Sequence, residues 1–230
     1  MKKTIKLLIS MLVVLTLFGC SNEEYLILVN PNNIVSQEEI DESDFIEVDD
    51  CYGTTTLVNR TAYNAYLDLK EDLANNHNIE LGIDNAYRSV NEQIKVMNEF
   101  IEEYGEEYAR KTVAQPGTSE HHTGLAIDIV FIKDGEWVVE NEDLLKETET
   151  FNIIHSLLYK HGFILRYLSG KEDITGFDYE PWHIRYVGKT AAKKMYEKGL
   201  TLEEYLENWR INKETKLFKG CGKKLHPFDL

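Results

Sequence analysis

The sequence predicts an α+β fold: a single domain with a small, mostly antiparallel sheet flanked by helices. Stretches with helical apolar spacing come early, and short alternating strands follow with helices interspersed. Strict strand–helix alternation, the mark of a parallel doubly wound sheet, is not the pattern. The size agrees, since 230 residues with 43% hydrophobic content suit one well-buried core and a short extension.

The elements follow in order. Ala62, Tyr66, Leu67, Leu69 and Leu73 among charged residues predict an amphipathic helix from Thr61 to about Asn76, followed by a strand through Ile79 to Ala86. Ile94, Met97 and Ile101 predict a helix over Val90 to Tyr104, with Ser89 and Glu92 spaced as a capping box. Tyr87-Arg88-Ser89 therefore lies where a strand hands over to a helix, a usual location for substrate contacts. After a Gly/Pro loop, Leu125 to Phe131 reads as a strand, with Trp137 to Val139 as its hairpin partner across Lys133-Asp134-Gly135-Glu136. Leu144 to Lys160 reads as a helix ended by Gly162, a residue suited to the left-handed cap. Phe163 to Tyr167 and His183 to Val187 are the last strands, and short helices begin at Ala191 and Leu202.

The ends carry other signals. Lys2, Lys3 and Lys6 precede an apolar core, Leu7 to Ile9 and Met11 to Phe18, that is too short for a comfortable membrane span. Leu17-Phe18-Gly19-Cys20 then resembles a bacterial lipobox, with Phe18 bulkier than the usual residue. The expectation is a signal peptide over 1–19, lipidation at Cys20, and a protein anchored by its N-terminal lipid to the outer face of the cytoplasmic membrane; cleavage by a general signal peptidase at a nearby site with plain secretion, and an uncleaved anchor, are the alternatives. From Ser21 to Asp50 acids accumulate without a single Lys or Arg, so 20–50 reads as an acidic tether, with Tyr25 to Val29 able to lie along the domain. The globular domain is expected over 51–230. Loss of the three leader lysines would take the net charge from -15 to -18, which excludes the basic footprint of a nucleic-acid binder. No feature demands a protein partner. Cys51 and Cys221 either pair across the domain or stay as thiols, and neither has CxxC spacing.

Two segments crowd rare residue types together: Pro116 to Asp128, containing Ser119, His121 and His122, and Glu180 to Gly188, containing Trp182, His183 and Arg185. Singly, each has a structural explanation: a solvated His pair, an Asp paired with a cation, a packed Trp. Jointly they supply two imidazoles, one carboxylate and a spare carboxylate three residues before a His, the inventory of a catalytic zinc site with its base. No SxxK, SDN and KTG set stands in consistent order for a serine mechanism, and neither Cys51 nor Cys221 sits in a recognisable Cys/His signature.

These segments resemble the zinc D,D-carboxypeptidases of the VanY type and their LdcB-type L,D-carboxypeptidase relatives. Ser119, His121, Gly124, Ala126 and Asp128 meet the family's SxHxxGxAxD pattern. Glu180, Trp182, His183, Arg185, Tyr186, Val187 and Gly188 meet ExWHxRYVG, and Tyr87, Arg88, Ser89 and Gln93 meet YRSxxxQ. The resemblance covers roughly residues 60 to 190. It implies one zinc ion per chain on His121, Asp128 and His183, with Glu180 as catalytic base and Arg88 binding the substrate's terminal carboxylate. Ser119 and Gln93 would help at that end, and Trp182 would shape the pocket wall. The family spacing selects His121 over the adjacent His122. The implied activity is removal of the terminal D-Ala from the peptidoglycan stem peptide. L,D-carboxypeptidase action on tetrapeptide stems is the nearest alternative, a D,D-dipeptidase is third, and a non-catalytic wall-binding lipoprotein is the alternative of another class, against which the presence of Glu180 counts.

Overall fold

The computed structural model describes residues 22–220. The leader, Cys20 and Cys221 lie outside them.

After three short 3₁₀ turns the first strands form an antiparallel hairpin, β1 (Phe45–Asp49) and β2 (Thr55–Asn59), paired from Phe45↔Asn59 to Asp49↔Thr55. α1 (Arg60–His77) starts where the Asn59 side chain accepts the Thr61 and Ala62 N–H groups, and it buries Ala62, Ala65, Tyr66, Leu69 and Leu73. β3 (Leu81–Asn85) leads into α2 (Val90–Tyr104), whose Ser89/Glu92 capping box forms as the sequence predicts. α3 (Glu106–Thr112) follows almost at once.

The central sheet adds β4 (Ala126–Lys133) and its short partner β5 (Glu136–Val138), then β6 (Phe163–Leu165) and β7 (His183–Tyr186). Its order is β3-β4-β7-β6, all antiparallel, with β5 on β4. Between β5 and β6 run α4 (Asn141–Leu144) and α5 (Thr148–Leu158). α6 (Glu172–Thr175) precedes β7, and α7 (Lys189–Lys198) and α8 (Leu202–Gly220) close the chain. The expected helix over Leu144 to Lys160 is thus broken: Glu147, at φ -83 and ψ 47, leaves helical geometry, and α5 restarts beyond it. One face of the sheet packs on α1 and α5, with Phe131 edge-on to Phe151 at 5.6 Å between ring centres.

The largest departure from expectation is the acidic segment. Over its described part it is docked, and the domain begins before Cys51, since β1 lies wholly within the segment read as a tether. Burial of its few apolar groups outweighs its solvation: Val29 is fully buried, Val48 joins the core, and Tyr25 packs edge-on against Tyr186. Cys51 is half-buried and forms no disulfide among the described residues.

Candidate metal centre and substrate cleft

Sheet register sets the site. Asp128 on β4 stands opposite His183 on β7, and Asn85 on β3 stands opposite Asp128 on its other side. The third group, His121, comes from a 3₁₀ turn, Glu120–Thr123, that leads directly into β4. Gly124 ends this turn at φ +64, and a Cβ there would lie 2.6 Å from the Phe45 ring, so only glycine fits.

His121 Nε2 lies 3.1 Å from Asp128 Oδ2, and His183 Nδ1 lies 2.9 Å from Asp128 Oδ1. One donor atom from each of the three residues falls within 4.8 Å of the others, a set that could hold one metal ion. Asp128 Oδ1 is buried with His183 Nδ1 2.9 Å away, yet no contact among the described residues meets hydrogen-bond geometry there, as suits two donors that share one cation. Second contacts select the donor nitrogens. His121 Nδ1–H donates to the Ala86 carbonyl, leaving Nε2 with its lone pair. On His183 the remote Nε2 faces Glu120 Oε2 at 3.9 Å, so Nδ1 is the nitrogen turned to the site.

His122 is settled by the same reasoning. Its Nδ1–H donates to the Arg88 carbonyl at 2.6 Å and its Nε2 accepts the Gly117 N–H at 3.1 Å. With both ring nitrogens engaged, it has no lone pair for a metal.

Electrostatics fit a cation site. Burial opposes ionisation of Asp128, but the two imidazoles hold its carboxyl well below the usual carboxylate range. Burial pulls His183 down, yet Asp128, aided by Glu120 and Glu180, carries it up to about 10. Burial lowers His121 more than Asp128 raises it. Glu180 Oε2 stands 3.7 Å from His183 Nδ1, and burial, with the charges of Asp128 and Asp178, pushes its carboxyl up to about 7 despite His183.

These groups open on a cavity of about 250 Å³ that also receives Arg88, Gln93, Ser119 and Trp182. All the predicted site residues within the described chain therefore come together. Arg88 donates from Nη1 to Gln93 Oε1 at 3.0 Å, and Gln93 Nε2 donates to the Ala114 carbonyl at 2.8 Å. Gln93 is fully buried, so its polar groups hold Arg88 and the following loop. The cavity lining also includes apolar side chains, among them Val96 and Phe100 from α2 and Val113 just past α3.

Sequence reasoning passed over two contributors. Tyr167, almost fully buried, sets its ring 4.8 Å from that of His183. Glu120, a variable position in the motif, is buried behind the site: its Oε1 accepts Arg166 Nε–H at 2.7 Å and lies 2.9 Å from Arg185 Nη1. The two guanidiniums overcome burial and hold Glu120 well below the usual carboxylate range. Arginines within the apolar runs around Phe163 and Ile184 were the available signal, because each demanded a buried acid.

The family model described as VanY, D-alanyl-D-alanine carboxypeptidase, matches residues 55–189, more than half of the 230. The chain belongs to the VanY D-alanyl-D-alanine carboxypeptidase family. It is 41% identical over 132 residues to a D-alanyl-D-alanine carboxypeptidase of Enterococcus faecalis, an overlap covering 53% of this chain and 45% of that one. The solved LdcB LD-carboxypeptidase superposes with a TM-score of 0.70 at 36% identity, over 81% of this chain and 88% of that one. A variant of the vancomycin-resistance D,D-pentapeptidase VanY, solved with Zn(II), gives 0.65 at 33% identity over 80% and 99%. The chain spans about half the length of such relatives as the E. faecalis enzyme.

Two outcomes are expected for metal binding. His121→Ala should abolish stoichiometric zinc uptake, whereas His122→Ala should retain it; metal analysis after dialysis decides, and uptake by His121→Ala would reject the donor set. Because a metal must displace the proton that Asp128 stabilises on His183, zinc affinity should rise with pH through the neutral range. Chelator competition across pH reads the slope, and a flat profile would contradict it.

Proposed function

We propose that this chain is a zinc-dependent D-alanyl-D-alanine carboxypeptidase that hydrolyses the terminal D-Ala from the peptidoglycan stem peptide. The observation that carries this reading is the convergence of His121, Asp128 and His183 with Glu180 and Arg88 around one cavity. The nitrogen–carboxylate–nitrogen donor set suits a catalytic zinc ion, which takes three protein ligands and keeps a further position open. When bound, zinc supplies Lewis acidity for the scissile carbonyl and the attacking water.

The protein's own groups do the rest. Glu180 is close enough to the donor set to take the water's proton on Oε2 and pass it to the leaving amine. Its raised pKa follows from burial beside Asp128, and the charge of a bound cation would draw it back toward a base that is ionised at neutral pH. Arg88 presents a planar fork suited to a carboxylate. A carboxylate anchored on Arg88 inside the cavity that holds the metal donors and Glu180 suits a substrate cleaved at its C-terminal end, the exopeptidase reading. The likeness to LdcB supports one second reading, removal of D-Ala from a tetrapeptide stem.

Export and anchoring belong to the same proposal. The Lys-rich start, apolar core and Leu17-Phe18-Gly19-Cys20 support lipidation at Cys20 on the outer face of the cytoplasmic membrane, where stem peptides are assembled into wall.

The deciding experiment incubates the zinc-loaded protein with muramyl pentapeptide and with tetrapeptide, following released D-Ala by mass. Chelator-sensitive release from the pentapeptide is expected, and Glu180→Ala should keep its zinc while losing about 10²- to 10⁴-fold in kcat. Release from the tetrapeptide alone would replace the D,D reading with the L,D one. Release from neither would sink the carboxypeptidase reading. Separately, fractionated cells should hold the protein in the membrane and release it when Cys20→Ala is introduced together with a cleavable general signal; equal membrane retention would count against a lipid anchor.

A further inference from the structure

Arg88 is gripped on both sides by a segment that precedes the family-matched region. Tyr87, immediately before it, has a hydroxyl that accepts a hydrogen bond from Gln37 Nε2 at 2.9 Å and donates to Glu42 Oε1. The Tyr87 ring also meets Phe45 edge-on at 4.9 Å. Two residues after Arg88, the Val90 N–H donates to Gln37 Oε1 at 2.9 Å. That N–H opens α2 and has no partner within the helix. One carboxamide thus bridges the turn that carries Arg88.

The Gln37 side chain is fully used, because Nε2 also donates to Glu42 Oε1 at 2.8 Å. Its oxygen must face the Val90 N–H and its nitrogen the two oxygen acceptors, a division of roles that a carboxylate or a thioether cannot reproduce.

A second grip acts on Arg88 from behind. Its carbonyl accepts from His122, His122 accepts from the Gly117 N–H, and the Gly117 carbonyl accepts the Val35 N–H at 2.9 Å. Gly117 has φ +86, and a Cβ there would fall 2.7 Å from Ile34 Cγ2 and 2.9 Å from the Val35 carbonyl oxygen. The arm and the Gly117 loop are therefore in close backbone contact.

We propose that the amino-terminal arm is part of the substrate-binding machinery, with Gln37 a positioning residue that fixes Arg88 for the terminal carboxylate of the stem peptide. This rests on Arg88 being the carboxylate anchor, as assigned above. Gln37 touches neither the metal donors nor the attacking water's base, so its removal loosens carboxylate recognition and leaves the chemistry in place. Small displacements of a positioned cation are costly to binding and orientation.

The test uses the full-length, zinc-loaded protein in detergent and one stem peptide in two forms, with a free C-terminal carboxylate and with a C-terminal carboxamide. Gln37→Ala should raise KM for the acid about tenfold, change kcat by less than about twofold, and barely affect the amide, so the preference for acid over amide shrinks. Zinc content should stay at one per chain. Tyr87→Phe removes only the hydroxyl that Gln37 holds, and it should shrink the same preference if Gln37→Ala proves unstable. Parallel loss on acid and amide would make the arm merely structural and overturn the proposal. An unchanged preference in Gln37→Ala beside a collapsed one in Arg88→Ala would overturn the arm's role while leaving Arg88 in place. An intact preference in Arg88→Ala would remove both.

Discussion

A carboxylate with no access to water organises this protein. Glu120 is 1% exposed, and it is ionised because Arg166 and Arg185, themselves fully buried, stand against it. Arg166 closes the charge balance by gripping Glu203 through both terminal nitrogens, at 2.6 and 3.0 Å. Each guanidinium ties a different strand, β6 at its end and β7 at its middle, to the turn that carries His121. Removing one member of such a network leaves another buried charge uncompensated, at a cost of about 3–5 kcal/mol. Its value here is geometric: it places Oε2 of Glu120 3.9 Å from Nε2 of His183, on the side of the ring away from the Nδ1 that meets Asp128.

The donor set then follows from backbone pairing. Asp128 and His183 are register partners on neighbouring antiparallel strands, and cross-strand partners bring their side chains to the same face of the sheet. Only His121 needs a special device, a 3₁₀ turn closed by Gly124 against Phe45. The acid–base group and the carboxylate anchor are placed by loops at the rim, Glu180 just before β7 and Arg88 between β3 and α2. A rigid sheet holds the groups that must not move, and the loops around it hold those that meet the substrate.

The amino-terminal segment links these parts. The Tyr25 and Ile27 carbonyls accept from Arg185 Nη2 at 3.1 and 2.7 Å, satisfying donors that Glu120 cannot reach. Further along, the same segment braces the Arg88 turn. An acidic stretch thus serves the fold mainly through its carbonyls and a few apolar side chains, while most of its carboxylates remain at the surface.

The sequence by itself determined the local structure and the identities of the reacting groups. Helical periodicity placed α1 and α2, the Ser89/Glu92 spacing marked the start of α2, and the crowding of His, Asp and Glu into two short segments marked the site. Each is a relation between residues a few positions apart, where backbone geometry leaves little choice. Tertiary structure decided what depends on distant partners. His121 became a donor and His122 a strut because their Nδ1 atoms meet carbonyls 35 and 34 residues away. Glu120 acquired its role from Arg166, 46 residues on, and the docked acidic arm gives two carbonyls to Arg185, about 160 residues on. A buried polar atom takes whichever partner the folded chain brings within reach, and periodicity along the sequence carries no record of that partner.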